Sequence, residues 1–216
     1  MSADHNNINL GFTHESFPAG THMCLIYSRE EERARIIAQY IQSGLVAGER
    51  VAYFSDANPT DDSNERFRQQ GFEVPKPETG GQFSVSSAAD TYCPSGEFVP
   101  KDMFEILKSF YCQALADGCP ASRVSGEMSW ALRGMPGCER LMEYESKVNE
   151  VFVKYPVTAI CQYDATRFDA KTLMECLKVH PFVIVNGQIL RNSYYLKPDE
   201  YLQAVRKDGS QLKAQA

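Results

Sequence analysis

The sequence predicts a three-layer α/β fold, a mostly parallel central sheet with helices on both faces and a C-terminal β-hairpin. Strand-like and helix-like stretches alternate along most of the chain, as they do where strands are joined by crossover helices. Residues 157–163, VTAICQY, read as the clearest buried strand. Asn186-Gly187, between the apolar runs 182–185 and 188–190, is a tight-hairpin signal.

The elements follow in order. HMCLIY at 22–27 is the first strand. Ser28 and Glu31 have the spacing of a capping box, and Ala34, Ile37, Tyr40, Ile41 and Leu45 repeat at helical intervals until Gly44 and Gly48 close the helix. Residues 50–55 form the second strand, and a short helix is expected over 64–70, ending at Gly71. Residues 73–99 are richer in Pro, Gly and Ser, carry a short strand at 82–86, and read as an irregular segment fit to cover a site. An amphipathic helix over 101–117 presents Met103, Phe104, Leu107, Phe110, Tyr111, Ala114 and Leu115 on one face. Residues 122–128 form a strand, 138–154 a long helix, and 169–179 a helix stopped by His180-Pro181. The expected organisation is a flexible segment over 1–15, a single domain over 16–205 and a polar, frayed tail over 206–216.

The 216 residues suffice for one generous domain, and 43% hydrophobic with 23% charged residues is ordinary for a soluble globular protein. A formal charge of −6 without a basic cluster argues against a nucleic-acid surface. No apolar run reaches the roughly 20 residues of a membrane span, and the polar start lacks a signal-peptide core, so no membrane association and a cytoplasmic location are expected. Seven scattered cysteines without a CxxC pair give neither a disulfide framework nor a zinc knuckle.

The first strand-to-helix turn, Ser28-Arg29-Glu30-Glu31, has no glycine-rich loop and is acidic where phosphate binding needs backbone N–H groups and positive charge. The usual nucleotide function of this fold class is therefore disfavoured. In open parallel sheets, ligands bind at the carboxyl ends of the strands. That rule gathers Tyr27, Ser55, Asp56, Glu127, Met128, Trp130, Tyr163 and Asp164, a mixture suited to a small, partly apolar ligand, although ordinary sheet ends also carry such residues.

His22 and Cys24 share one face of a strand, as do Cys161 and Tyr163. Such a face could assemble a thiolate and imidazole site with Asp164 or His180, but no recognised spacing supports it, and neither a metal nor another cofactor is expected. Cys161 as a nucleophile lacks a histidine tied to it by sequence. Glu145 and Asn149 share a helix face, which is solvated unless Glu145 turns inward and finds a partner such as Arg123 or Arg167. His180-Pro181 reads as a helix stop.

Six short motifs occur in order between His22 and Tyr195: His22-Met-Cys24-Leu-Ile-Tyr27, Gly44-Leu-Val-Ala-Gly48-Glu49-Arg50, Gly126-Glu127-Met128-Ser-Trp130, Tyr144-Glu145 with Asn149, Cys161-Gln-Tyr163-Asp164, and His180-Pro181. Together they resemble the MEDS family, the sensory domain of methanogens and methylotrophs, also called the dichloromethane-regulator-like sensory domain. The resemblance implies a RecA/KaiC-like core without the phosphate loop, no catalytic residues, and a sensory role in binding small hydrocarbon-derived molecules. Its motif positions here are His22, Cys24, Tyr27, Glu127, Trp130, Tyr144, Glu145, Asn149, Cys161, Tyr163, Asp164 and His180. Family members are often joined to an output region, whereas a short polar tail follows Leu202 here, so output is expected through a partner protein or a homo-oligomer.

The reading is a sensor with Tyr27, Trp130 and Tyr163 as apolar walls and Glu127 and Asp164 as polar anchors. Its rivals are a divergent nucleotide-binding protein, with Glu127 as base and Asp164 on Mg²⁺, and an interaction module that uses only its surface.

Overall fold

A computed structural model describes residues 7–56 and 81–214. Seven strands form one sheet in the order β5 (Phe83–Ser87), β4 (Arg50–Ser55), β6 (Ser122–Glu127), β7 (Val157–Asp164), β3 (His22–Tyr27), β8 (Phe182–Val185), β9 (Gln188–Arg191). All neighbours are parallel except the β8–β9 hairpin. Asn186 and Gly187 both have positive φ there, 50° and 75°, as the two-residue hairpin turn requires.

Between β3 and β4 the chain runs through α1 (Glu30–Val46), and β4 lies beyond both β7 and β6. The strand between β7 and β8 is therefore the first of the sheet in sequence. Cys24 pairs with Cys161 on one side and with Val183 on the other. Residues far apart in the chain thus become lateral neighbours.

Strand alternation divides the core into two layers. Met23, Leu25, Val51, Tyr53 and Ile160 pack against Ile36, Ile37, Tyr40 and Ile41 of α1. On the opposite face, Cys24, Val124, Ala159, Cys161 and Tyr163 meet α3 (Pro100–Ala116), α4 (Leu141–Lys154) and α5 (Ala170–Val179). A final helix, α6 (Pro198–Ala214), packs on α4 and α5. Among the described residues no helix is long and apolar enough to cross a membrane.

Four expectations change. The α1 helix starts at Glu30 with Arg29 as N-cap and no side-chain cap, so Ser28 and Glu31 form no capping box; three glutamates in the first turn favour that end through the helix dipole instead. Residues 7–9 are not loose: β1 (Asn7–Asn9) pairs with β2 (Ser16–Pro18), and Leu10 is fully buried. At the other end α6 carries helix beyond 205, as far as Ala214. The segment expected to be irregular supplies β5, a short helix α2 (Ala88–Tyr92), and the buried rings of Tyr92 and Phe98. The helix expected over 64–70 lies outside the described residues.

Candidate functional site

Two buried polar clusters lie on opposite faces of the sheet. The first follows from the lateral pairing of β3 with β7 and β8. His22 opens β3, Cys161 sits in the middle of β7, and His180 lies two residues before β8, so all three reach the face covered by α4. From α4 comes Glu145, which is wholly buried.

Glu145 Oε2 lies 3.2 Å from His22 Nε2 and 3.4 Å from His180 Nε2. Cys161 Sγ is 3.5 Å from the same oxygen and 3.4 Å from His22 Nε2. The other carboxylate oxygen, Oε1, accepts from Tyr163 Oη at 3.0 Å. One turn further along α4, Asn149 Oδ1 lies 3.1 Å from His22 Nδ1, while its amide nitrogen donates to three backbone carbonyls. His180 Nδ1 lies 2.8 Å from the Cys176 carbonyl oxygen. Cys24 and Cys176 complete a second group around His180.

Electrostatics follow from this packing. Burial pushes the Glu145 pKa up, but the imidazoles of His180 and His22 close against its carboxylate outweigh burial and hold it below the usual carboxylate range. His180 is opposed by burial, yet the Cys24 sulfur and the Glu145 carboxylate push it up to about 9. Burial and the charge on His180 lower His22. Burial pushes the Cys161 thiol well above its ordinary value, which removes the thiolate a nucleophile needs.

A cleft of about 310 Å³ reaches this cluster from the amino ends of the strands. It is lined by Gly20, Thr21, His22, Asn149, Phe152, Val153, Pro181, Phe182 and Tyr195, among others.

The second cluster occupies the carboxyl ends on the α1 face. Arg33, 3% exposed, donates from Nη1 to Glu127 Oε1 at 2.9 Å, to Gln162 Oε1 at 2.8 Å and to the Tyr53 hydroxyl at 3.0 Å, and pairs with Glu30. The Tyr53 hydroxyl also donates to Glu127, and the Asp56 N–H reaches Glu127 Oε2 at 2.8 Å. The Arg33 guanidinium lies over the Tyr27 ring, 5.5 Å from its centre. A side chain from α1 thus satisfies the carboxylate placed like an ATPase base. Arg33→Ala is expected to cost about 2–3 kcal/mol, the worth of hydrogen bonds to a charged group, in urea denaturation. Arg33→Lys should not restore it, because an ammonium cannot span Glu30, Glu127 and Gln162.

The predicted site residues therefore divide. His22, Cys24, Glu145, Asn149, Cys161, Tyr163 and His180 converge on the sheet face covered by α4 and α5. Trp130 stacks on Tyr92 at 4.7 Å between ring centres, and Tyr144 on Phe104 at 5.5 Å; with Met128 they belong to the apolar core. Glu127 and Tyr27 lie by Arg33 on the other face. Asp164 holds its own turn, accepting from the Thr166 N–H and hydroxyl at 2.8 and 2.6 Å. The expected wall of Tyr27, Trp130 and Tyr163 with Glu127 and Asp164 is not assembled, because alternation sends Tyr163 and Glu127 to opposite faces. Glu145 does turn inward, but its partners are His22 and His180 rather than Arg123 or Arg167. His180 ends α5, as expected of a helix stop, and in addition joins the cluster.

Arg33 and Cys176 join these clusters with little to mark them in the sequence. The i, i+3 pairing of Glu30 with Arg33 and the i, i+4 spacing of Cys176 with His180 were the available signals.

The profile of the domain described as MEthanogen/methylotroph, DcmR Sensory domain matches residues 21–181, which span both clusters. The chain belongs to the MEDS family. Over 161 residues, this MEDS domain is 25% identical to the transcriptional repressor DcmR of Methylorubrum extorquens, covering 74% of the chain. It spans 57% of that repressor's length. Solved structures show the fold. A KaiC-like protein of Pyrococcus horikoshii superposes with a TM-score of 0.58 at 18% identity, over 84% of this chain and 80% of that one. The flagellar accessory protein FlaH of Methanocaldococcus jannaschii superposes at 0.59 and 11% identity, over 85% and 83%. The MEDS domain is thus a KaiC-like, RecA-type core, and its family and its repressor relative support a sensory or regulatory role.

Proposed function

We propose that this chain is a non-catalytic sensing module that binds a small organic, hydrocarbon-derived molecule and passes its state to a partner protein or to a second copy of itself, in the cytoplasm. The observation that carries the reading is the cleft at the amino ends of β3 and β8. Its volume, about 310 Å³, is at the small end of ligand sites. Phe152, Val153, Pro181 and Phe182 offer an apolar wall, and His22 and Asn149 a polar floor joined to the buried cluster. Ligand entry there would bear on α4 and on the turn before β8 together, two elements otherwise linked through Glu145 and His180.

A divergent nucleotide binder is the second reading. Against it stand the acidic β3–α1 turn and the engagement of Glu127 by Arg33 and Tyr53. A high thiol pKa at Cys161 also supports a binding role over catalysis.

Ligand-observed NMR on the full chain, with a panel of one- to four-carbon alcohols and chlorinated hydrocarbons, tests the proposal. Binding is expected for at least one member, weakened at least ten-fold by Val153→Trp, which narrows the cleft from its 71% exposed rim and leaves stability within about 0.5 kcal/mol. Binding indifferent to Val153→Trp, or none across the panel, would remove the cleft as the sensing site. ATP binding lost on Glu127→Gln would instead favour the second reading.

A further inference from the structure

We propose that His22, His180, Glu145 and Cys161 form a binding site for a divalent first-row transition-metal ion of zinc-like ligand preference. Asn149 Nδ2 lies 3.0, 2.9 and 3.0 Å from the carbonyl oxygens of Glu145, Ser146 and Val179, so the amide cannot be flipped without facing oxygen to oxygen. Its Oδ1 is therefore the acceptor, and His22 Nδ1 the donor. The Cys176 carbonyl likewise fixes His180 Nδ1 as a donor. Both rings consequently turn Nε2 inward, toward one carboxylate oxygen and one sulfur.

In the ion-free protein a proton on His180 Nε2, facing Glu145 Oε2, fills the centre of this convergence, and a divalent ion takes its place when that proton leaves. His180 Nε2 is buried and makes no hydrogen bond among the described residues, although it lies 3.4 Å from Glu145 Oε2. Metal-ligating histidines are held in this way, with the outer N–H tied to a carbonyl or amide and the inner nitrogen free to bind. Tyr163 satisfies Glu145 Oε1 and leaves Oε2 for the ion.

Distances agree. Bonds of about 2.0–2.3 Å from Zn²⁺ to nitrogen, oxygen and sulfur at tetrahedral angles separate neighbouring ligand atoms by about 3.3–3.7 Å. The contacts here are 3.2, 3.4, 3.4 and 3.5 Å, and all four ligand atoms lie within 4.8 Å of one another. Charge agrees as well. One carboxylate and one thiolate neutralise a divalent ion between two neutral imidazoles, giving a site without net charge where all four residues are buried. Binding replaces the Cys161 thiol proton and any proton on the imidazoles with the ion. The cleft touching His22 and Asn149 supplies an approach. The neighbouring Cys24–Cys176–His180 group is a weaker candidate, since it would use His180 Nδ1, already tied to the Cys176 carbonyl. Residue spacing alone gave no such site. The inference stands whether or not the cleft takes an organic molecule.

The test is titration of the chelator-stripped full chain with Co²⁺, followed by displacement with Zn²⁺. One equivalent is expected to give visible d–d bands of a four-coordinate ion and a near-ultraviolet thiolate-to-cobalt band, both abolished by Zn²⁺. Cys161→Ser should lose the thiolate band and keep weaker d–d bands, while Cys24→Ser leaves both. Asn149→Ala, which frees the His22 ring, should lower affinity 10–100-fold. It carries the comparison if circular dichroism shows Cys161→Ser to be unfolded. Absence of cobalt bands in folded wild-type protein would overturn the site. So would a thiolate band that survives Cys161→Ser, or unchanged affinity in folded Asn149→Ala.

Discussion

Glu145→Ala is expected to cost the chelator-treated protein about 3–5 kcal/mol, a large part of the stability of a domain this size. The carboxylate is wholly buried and is the common partner of His22, His180, Cys161 and the Tyr163 hydroxyl. Truncation leaves the charge that His180 carries, with its pKa at about 9, without a counter-ion in the interior, together with an unpaired tyrosine hydroxyl and a cavity. Glu145→Gln keeps the volume. Its carbonyl can still accept from Tyr163, and its amide can donate to one inward-facing imidazole nitrogen, so about 1–3 kcal/mol is expected. Urea denaturation of the two variants, with unchanged m-values, checks both figures. A loss below about 1 kcal/mol in Glu145→Ala would mean that the carboxylate is not embedded as described.

The order of these costs bears on how much of the site was legible in the sequence. Strand periodicity placed His22 with Cys24, and Cys161 with Tyr163, on common faces, and the structure keeps both pairs. It carried no information that β3 and β7 are neighbours, because lateral order is set by crossovers through α1 and the later helices. His180 followed from α5 as a helix stop, yet its ring direction depends on Cys176 and on the short link to β8. The rule that places ligands at carboxyl strand ends points elsewhere, since it rests on helix N-termini and backbone N–H groups facing an anion. Here that end is acidic on α1, and Arg33 holds Glu127. The fold itself was more accessible, because most strands and long helices announce themselves by period and by turn residues such as Asn186-Gly187 and the Asp169 N-cap. The ribbon of β1 and β2 was missed because three-residue strands have too few positions to show alternation.

Gly44 shows the same limit, and yields a prediction of opposite signs in two backgrounds. The sequence suggested a helix stop there, whereas Gly44 lies within α1 and is buried. Its reason is Arg123, fully buried on β6. That guanidinium donates from Nε to Glu49 Oε2 at 2.7 Å, pairs with Glu49 a second time through Nη2, and reaches the carbonyls of Tyr40 and Asn9 at 2.9 and 3.1 Å. A Cβ on residue 44 would stand 2.6 Å from Arg123 Nε and 2.7 Å from Cδ, too close for either to keep its place. Gly44→Ala is therefore expected to cost about 1–3 kcal/mol by overpacking, although alanine is the better helix former by about 1 kcal/mol. Arg123→Ala costs about 3–5 kcal/mol, since Glu49 is left buried without its cation. In that background the steric conflict is gone and part of the vacated volume is filled, so Gly44→Ala should stabilise by up to about 1 kcal/mol. The double-mutant cycle then gives a coupling of about 1–4 kcal/mol, measured by urea denaturation with one fixed sucrose concentration in all four proteins to keep the weakest folded. Additivity within about 0.5 kcal/mol would show that Gly44 is not there to admit the arginine, and would return it to the status of a helix-weakening residue with no packing role.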